Sequence, residues 1–170
     1  MLERNIKPEL EAFDLGMIHF AKILIGEGLI KPPFYFNLLL GNVAGAQVSL
    51  GDVAALVNNL PVESVWSLAG IGRFQKPAMG LGCVMTPGVR IGLEDNPWLD
   101  SEKRIPVTNT SLVGWLSDLA RAYGRPLASA AEVRSMLALS RLGRPRFHAS
   151  ACSRSATRSP ASSTPTDSRT

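Results

Sequence analysis

Cysteine and histidine are both scarce in this chain, with two of each among 170 residues. Cys83 and Cys152 lie far apart, form no CxxC pair and have no metal-ligand spacing, which excludes a disulfide framework and a cysteine-rich metal cluster. Long apolar runs are missing too. No stretch approaches the roughly 18 residues of a membrane span, and no cationic-then-apolar signal segment opens the chain. The expectation is a cytoplasmic protein without a membrane partner. Positive charge is lacking where it would matter. Residues 1–140 carry 12 Lys+Arg against 13 Asp+Glu, whereas residues 141–170 carry six Arg against the single acid Asp167. The formal charge of +4 and the pI near 9.4 therefore belong to the last thirty residues. A nucleic-acid partner needs a basic face on a folded module, and residues 1–140 supply none.

What is present is a globular composition, 45% hydrophobic and 19% charged, in a chain long enough to bury a core. Up to about residue 125 the pattern alternates strand and helix. Residues 8–14 (PELEAFD) read as a strand, residues 17–27 as a helix ended by Gly28 and the Pro32-Pro33 pair, and residues 34–40 (FYFNLLL) as a strand buried on both faces. Ser49 is a cap, with Asp52 in a capping-box position, for a helix to about residue 59. Residues 64–69 (SVWSLA) form a third strand, 74–86 a short glycine-interrupted helix, and 88–93 (GVRIGL) a fourth strand before the polar loop 94–104. Helices are expected at about 109–123 and at 130–138, the second capped by Ser129. Strand starts near 8, 34, 64 and 88 have βα-unit spacing, which implies a parallel sheet in an α/β fold. Four such units are half of a (β/α)₈ barrel of about 250 residues; a small doubly wound sheet also satisfies the spacing. Residues 140–170 are rich in Ser, Arg, Thr, Pro and Ala without apolar period, and are expected to be a disordered, unselected extension.

The stretch GVRIGLEDN (88–96) carries the most chemistry. On an extended strand Arg90, Gly92 and Glu94 share one face and Val89, Ile91 and Leu93 the other. Charged groups on an inward face need partners. Asp95 and Asn96 follow at the C-terminal end of the strand, where barrel active sites lie. A carboxylate there suits a metal ligand or a general base, and the neighbouring Arg suits an anionic substrate; an Arg90–Glu94 structural ion pair is the plainer alternative. Glu9 and Glu11 share a face of the first strand. Asn37 and Ser67 are polar positions inside strands, lining a pocket or satisfying a neighbour. Gly70, Gly72 and Arg73 form a glycine-rich turn after a strand, suited either to a pyrophosphate or simply to a tight βα turn.

Taken in order, IKPELEAFDLGMI, FYFNLLLGN, SLAGIGRFQ and GVRIGLEDN resemble the second half of the β-keto acid cleavage enzymes, among them the 3-keto-5-aminohexanoate cleavage enzymes, over residues 3–138. The resemblance implies the C-terminal half of a zinc-containing (β/α)₈ barrel over residues 1–139. It also implies a reaction in which a 3-keto acid and acetyl-CoA give acetoacetate and a new CoA thioester. On it, Glu94 matches a zinc ligand, Arg90 and Asp95 match catalytic residues handling the substrate enolate, and Glu9 or Glu11 matches a substrate-contacting glutamate. Asn37 joins them as a substrate-binding candidate, and Gly70, Gly72 and Arg73 as candidates for holding CoA. Two zinc histidines of an HxH strand and an upstream serine have no counterpart, since His19 falls on the first helix and His148 in the tail. Residues 1–4 (MLER) accordingly read as an internal stretch of a longer protein. The chain alone is expected to be an inactive fragment, with exposed strand edges that favour homo-oligomers. The alternative is a non-catalytic half-barrel serving assembly or binding, or the product of a pseudogene.

Overall fold

Four segments of the chain become parallel strands, β1 (Glu9–Ala12), β2 (Phe34–Leu40), β3 (Ser64–Gly70) and β4 (Gly88–Val89), which lie side by side in chain order. They are seen in a computed structural model that describes residues 1–4 and 6–139. The tail expected to be disordered, 140–170, lies outside the described residues. The central pair is the longest, in register from Phe34 opposite Ser64 to Leu40 opposite Gly70. Sequential order with no reversal is the order of successive units of a (β/α)₈ barrel.

Helices follow the strands, and four of the five α-helices among the described residues begin where a short polar side chain can satisfy free amides. Asp14 accepts from Met17 N at 2.9 Å and starts α1 (Leu15–Gly26). Ser49 accepts from Asp52 N at 3.0 Å and starts α2 (Leu50–Asn59). The Asp52 carboxylate reaches past the cap to Gln47 N, 2.8 Å away, so it braces the incoming loop rather than closing a box with Ser49. A 3-10 turn, Gly72–Phe74, leads into α3 (Gln75–Met85). Reciprocal boxes, Thr108 with Ser111 and Ser129 with Glu132, open α4 (Asn109–Ala122) and α5 (Ala130–Met136).

The outward residues of the strands make the core. Ala12, Phe34, Phe36, Leu38, Leu40 and Leu68 pack with Ile18 and Ala21 of α1 and Leu56 of α2. Gly70 is needed for closeness, because a Cβ there would overlap Phe74 O and stand 2.7 Å from Ala78 Cβ. Arg125, after α4, donates through Nη1 to Gly82 O (3.0 Å) and Cys83 O (2.9 Å) and through Nη2 to Pro87 O (3.0 Å). It thereby ties the end of α3 to the start of β4. Among the described residues no helix is long and apolar enough to cross a membrane.

Two strands are shorter than the sequence suggests. β1 stops at Ala12 because Phe13 O accepts from Ala46 N (2.7 Å) and Asp14 becomes the cap of α1. β4 stops at Val89: Arg90 N still donates to Leu68 O (2.9 Å), but residues 92–95 then close a turn, with Asp95 N on Gly92 O at 3.2 Å. Arg90, Gly92 and Glu94 are therefore not alternate residues of one extended strand. Glu94 folds back so that its carboxylate lies over Gly92, where a Cβ would collide with it.

Candidate active site

Alternate residues of the strands face away from the core helices, and on that inner face polar side chains replace apolar ones. Asn37, fully buried, donates through Nδ2 to Glu9 Oε1 and accepts at Oδ1 from the Ser67 hydroxyl. This chain of Ser67, Asn37 and Glu9 spans β3, β2 and β1. One buried amide satisfies two strands, which accounts for a polar residue in the middle of the apolar run 34–40.

Arg90 organises the charged half of the face. Its Nη1 donates to Asp95 Oδ2 at 2.7 Å, and its Nη2 lies 3.2 Å from Glu94 Oε1 and 3.5 Å from Glu11 Oε1. Glu11 comes from β1, and Glu94 and Asp95 from the turn after β4, so side chains from the two edges of the sheet converge across β2 and β3. Arg90 and Asp95 are largely covered, their side chains 23% and 10% exposed, whereas Glu94 is 58% exposed. Burial pushes the Asp95 carboxyl above the usual carboxylate range. The Arg90 guanidinium opposes that shift by charge and hydrogen bond, while the negative charges of Glu94 and Glu11 add to it. The result is a carboxylate more basic than an exposed aspartate and held against a cation.

The turn carrying Glu94 and Asp95 is fastened from outside. Gly72 N donates to Asp95 O at 2.7 Å, Gln75 Nε2 to Gly92 O at 2.6 Å, and Leu93 N to Asn109 Oδ1 at 2.9 Å. The glycine-rich turn is thus engaged within the chain: Ile71 N bonds Leu40 O (2.9 Å), and Gly72 N is taken by Asp95. Arg73 is exposed beside it, with its guanidinium 4.8 Å from the centre of the Phe74 ring.

The structure brings together Arg90, Glu94, Asp95 and Glu11, and places Glu9 and Asn37 in the adjoining network. Glu11 pairs with Arg90 and Glu9 with Asn37, a division that alternation alone left open. Gln75 and Asn109 were not foreseen. Their roles depend on carbonyl and amide groups more than fifteen residues away in the chain; Gln75 closes the SLAGIGRFQ stretch, but nothing local marks it as an anchor. His19 is exposed on α1. Among the described residues no group of three His, Cys, Asp or Glu is placed to hold a metal ion. A cavity of about 450 Å³ is lined by Tyr35, Trp66, Ser67, Val89, Leu116 and Leu137, so it reaches Ser67 of the Asn37 network but none of the Arg90 cluster.

Comparison with known proteins gives a match to the family of beta-keto acid cleavage enzymes over residues 1–139. Two 3-keto-5-aminohexanoate cleavage enzymes are similar. That of Acetoanaerobium sticklandii is 34% identical over 142 residues, 83% of this chain and 51% of the relative. That of Fusobacterium nucleatum is 37% identical over 139 residues, 82% of this chain and 50% of the relative. A 3-dehydrocarnitine:acetyl-CoA trimethylamine transferase of Rhizobium meliloti is 34% identical over 141 residues, 83% of this chain and 46% of the relative. The chain spans about half the length of the curated relatives it matches.

Proposed function

The chain belongs to the beta-keto acid cleavage enzyme family, and from that premise we propose that residues 1–139 are the C-terminal half of a (β/α)₈ barrel bearing the proton-transfer part of its site. The observation that carries this reading is the Arg90–Asp95 pair at the C-terminal end of a parallel sheet, with Glu94 and Glu11 around the same guanidinium. Asp95 takes the α-proton of a 3-keto acid. Its raised basicity brings it closer to what a general base at neutral pH requires. Arg90 holds that carboxylate and offsets the negative charge that develops on the substrate. Glu11, Glu9 and Asn37 contact the substrate from the inner face. The reaction joins the keto acid with acetyl-CoA, giving acetoacetate and a new CoA thioester. The relatives' names support this, since one is an acetyl-CoA-dependent transferase and two cleave a 3-keto acid.

Zinc, the metal implied by resemblance, normally takes three protein ligands at a catalytic site. The described residues do not meet that requirement, and Glu94 is the one donor we assign to such a site. For CoA, Arg73 is the cation we assign to a phosphate. Gly70 and Gly72 shape the turn beside it. The exposed Leu15, Met17, Phe20 and Ile23 of α1 support self-association. A second reading, a non-catalytic assembly or binding module, is favoured by the incomplete ligand set.

The test is to combine the full chain with the N-terminal half of the Fusobacterium nucleatum relative and follow acetoacetate formation from a 3-keto acid and acetyl-CoA. We expect no turnover from the chain alone and turnover from the pair, reduced about 100-fold or more by Asp95→Asn. A soluble complex of the two halves that makes no acetoacetate would sink the catalytic reading in favour of the module.

A further inference from the structure

We infer that Gln75 is a positioning residue for the proposed site, its buried carboxamide fixing the 92–95 turn so that Asp95 meets Arg90. The functional meaning of this inference rests on the acid–base reading of Arg90 and Asp95; its geometry does not.

Gln75 is the first residue of α3, and only 1% of it is exposed. A carboxamide so deeply buried is costly unless it is bonded, and its Nε2 donates to Gly92 O at 2.6 Å. That carbonyl also accepts Asp95 N at 3.2 Å, so the first residue of the turn is held both by the turn itself and by Gln75. Three residues before Gln75, Gly72 N donates to Asp95 O at 2.7 Å and fastens the other end of the turn. The segment 72–75 therefore grips the turn at both ends, and the absence of a side chain at Gly70 lets that segment lie close against the sheet. Beyond β4 a single ladder bond, Arg90 N to Leu68 O at 2.9 Å, continues the sheet. Position in the turn is thus set chiefly by side-chain and turn contacts rather than by strand pairing. Asp95 reaches Arg90 Nη1 at 2.7 Å from a backbone so held. Asn109 Oδ1 steadies the middle through Leu93 N, on the exposed side.

Amide hydrogen exchange of the full ¹⁵N-labelled chain separates this role from a merely structural one. Gln75→Met keeps the length and apolar volume and removes the donor. The expected result is exchange about tenfold faster or more at the Gly72 and Asp95 amides, the loss of roughly one buried hydrogen bond. The Leu38 and Leu68 amides in the central strands should stay within about twofold of their original rates. The Arg90 guanidinium signals, expected to be slowed in the wild-type chain by the Asp95 pair, should broaden or collapse in the variant as that pair loosens. Equal acceleration at all four amides, or none at any, overturns the inference. Should Gln75→Met fail to fold, the wild-type chain decides the matter: carboxamide protons of Gln75 that exchange as fast as those of free glutamine refute the anchor, and protected ones support it. No turnover is needed for either measurement, so its failure is distinct from a failure of the proposed reaction.

Discussion

Along β2, Phe34, Phe36, Leu38 and Leu40 point into the helices, while Tyr35, Asn37 and Leu39 point the other way. The first set meets neighbours selected by shape: Ile18, Ala21 and Leu56, joined by Leu68 of the next strand. The second meets neighbours selected by hydrogen bond and charge: Glu9, Ser67 and, beyond them, Arg90 with its carboxylates. Apolar contact is tolerant of exchange among residues of similar volume, whereas a buried amide or ion pair depends on specific atoms. One strand of period two therefore carries two different kinds of constraint, and most of the folding stability belongs to one while the proposed chemistry belongs to the other.

Substitutions on the two faces should separate in size and in pH dependence. On the outer face, Phe36→Ala should cost about 3–5 kcal/mol in denaturant unfolding; a loss under about 1 kcal/mol would mean that this face is not the core. On the inner face, Asn37→Leu should cost about 2 kcal/mol, because Glu9 and the Ser67 hydroxyl lose their shared partner. No cost in the same assay would show that the network is dispensable for folding. Arg90→Met should cost about 1 kcal/mol at pH 7, since the guanidinium remains partly solvated. Part of that difference should vanish in acid, where the Asp95 carboxyl, raised by burial, is protonated and no longer needs a cation; a pH-independent cost would assign the effect to packing instead.

The smallest effect lies in the loop that belongs to neither face. Asp100 accepts from Ile105 N (2.7 Å) and Arg104 N (2.9 Å), and these bonds, Ile105 first, hold its carboxyl below the usual aspartate value of about 3.9. Its contribution is present above that value and lost as pH falls through the lower folded one. Asp100→Asn should thus slightly lower stability at pH 6 and lower it less at pH 2. An equal loss at both would show that the carboxylate charge is not what matters. Acid sensitivity that persists in this variant is left to the inner face.

Much of the outer face was legible before the structure. The run 34–40 has the bounds of β2, and Ser49 and Ser129 cap the helices they were expected to cap, because these signals are local: apolar period and a hydroxyl before a helix. Arg90, Glu94 and Asp95 were also visible, as charges clustered where a buried strand should end. What could not be read was the path between them. β4 ends at Val89 through bonds from Gly72 and Gln75, and no residue in 88–96 signals a partner near position 75. Nor could alternation divide Glu9 from Glu11, since both lie on the same face; the division comes from which cross-strand neighbour each side chain reaches.

The grip of Arg125 on Gly82, Cys83 and Pro87 bears on the order in which the sheet is made. Synthesis proceeds from the N-terminus, and Pro87 leaves the ribosome 38 residues ahead of the guanidinium that will bind its carbonyl. The pairing of β1, β2 and β3 needs nothing from beyond Gly70. β4 acquires its clasp only when the chain after α4 has emerged. During translation the residues that pair β1, β2 and β3 are therefore all available before the clasp on β4, and the strand whose clasp emerges last is the one that leads into the Arg90–Asp95 pair.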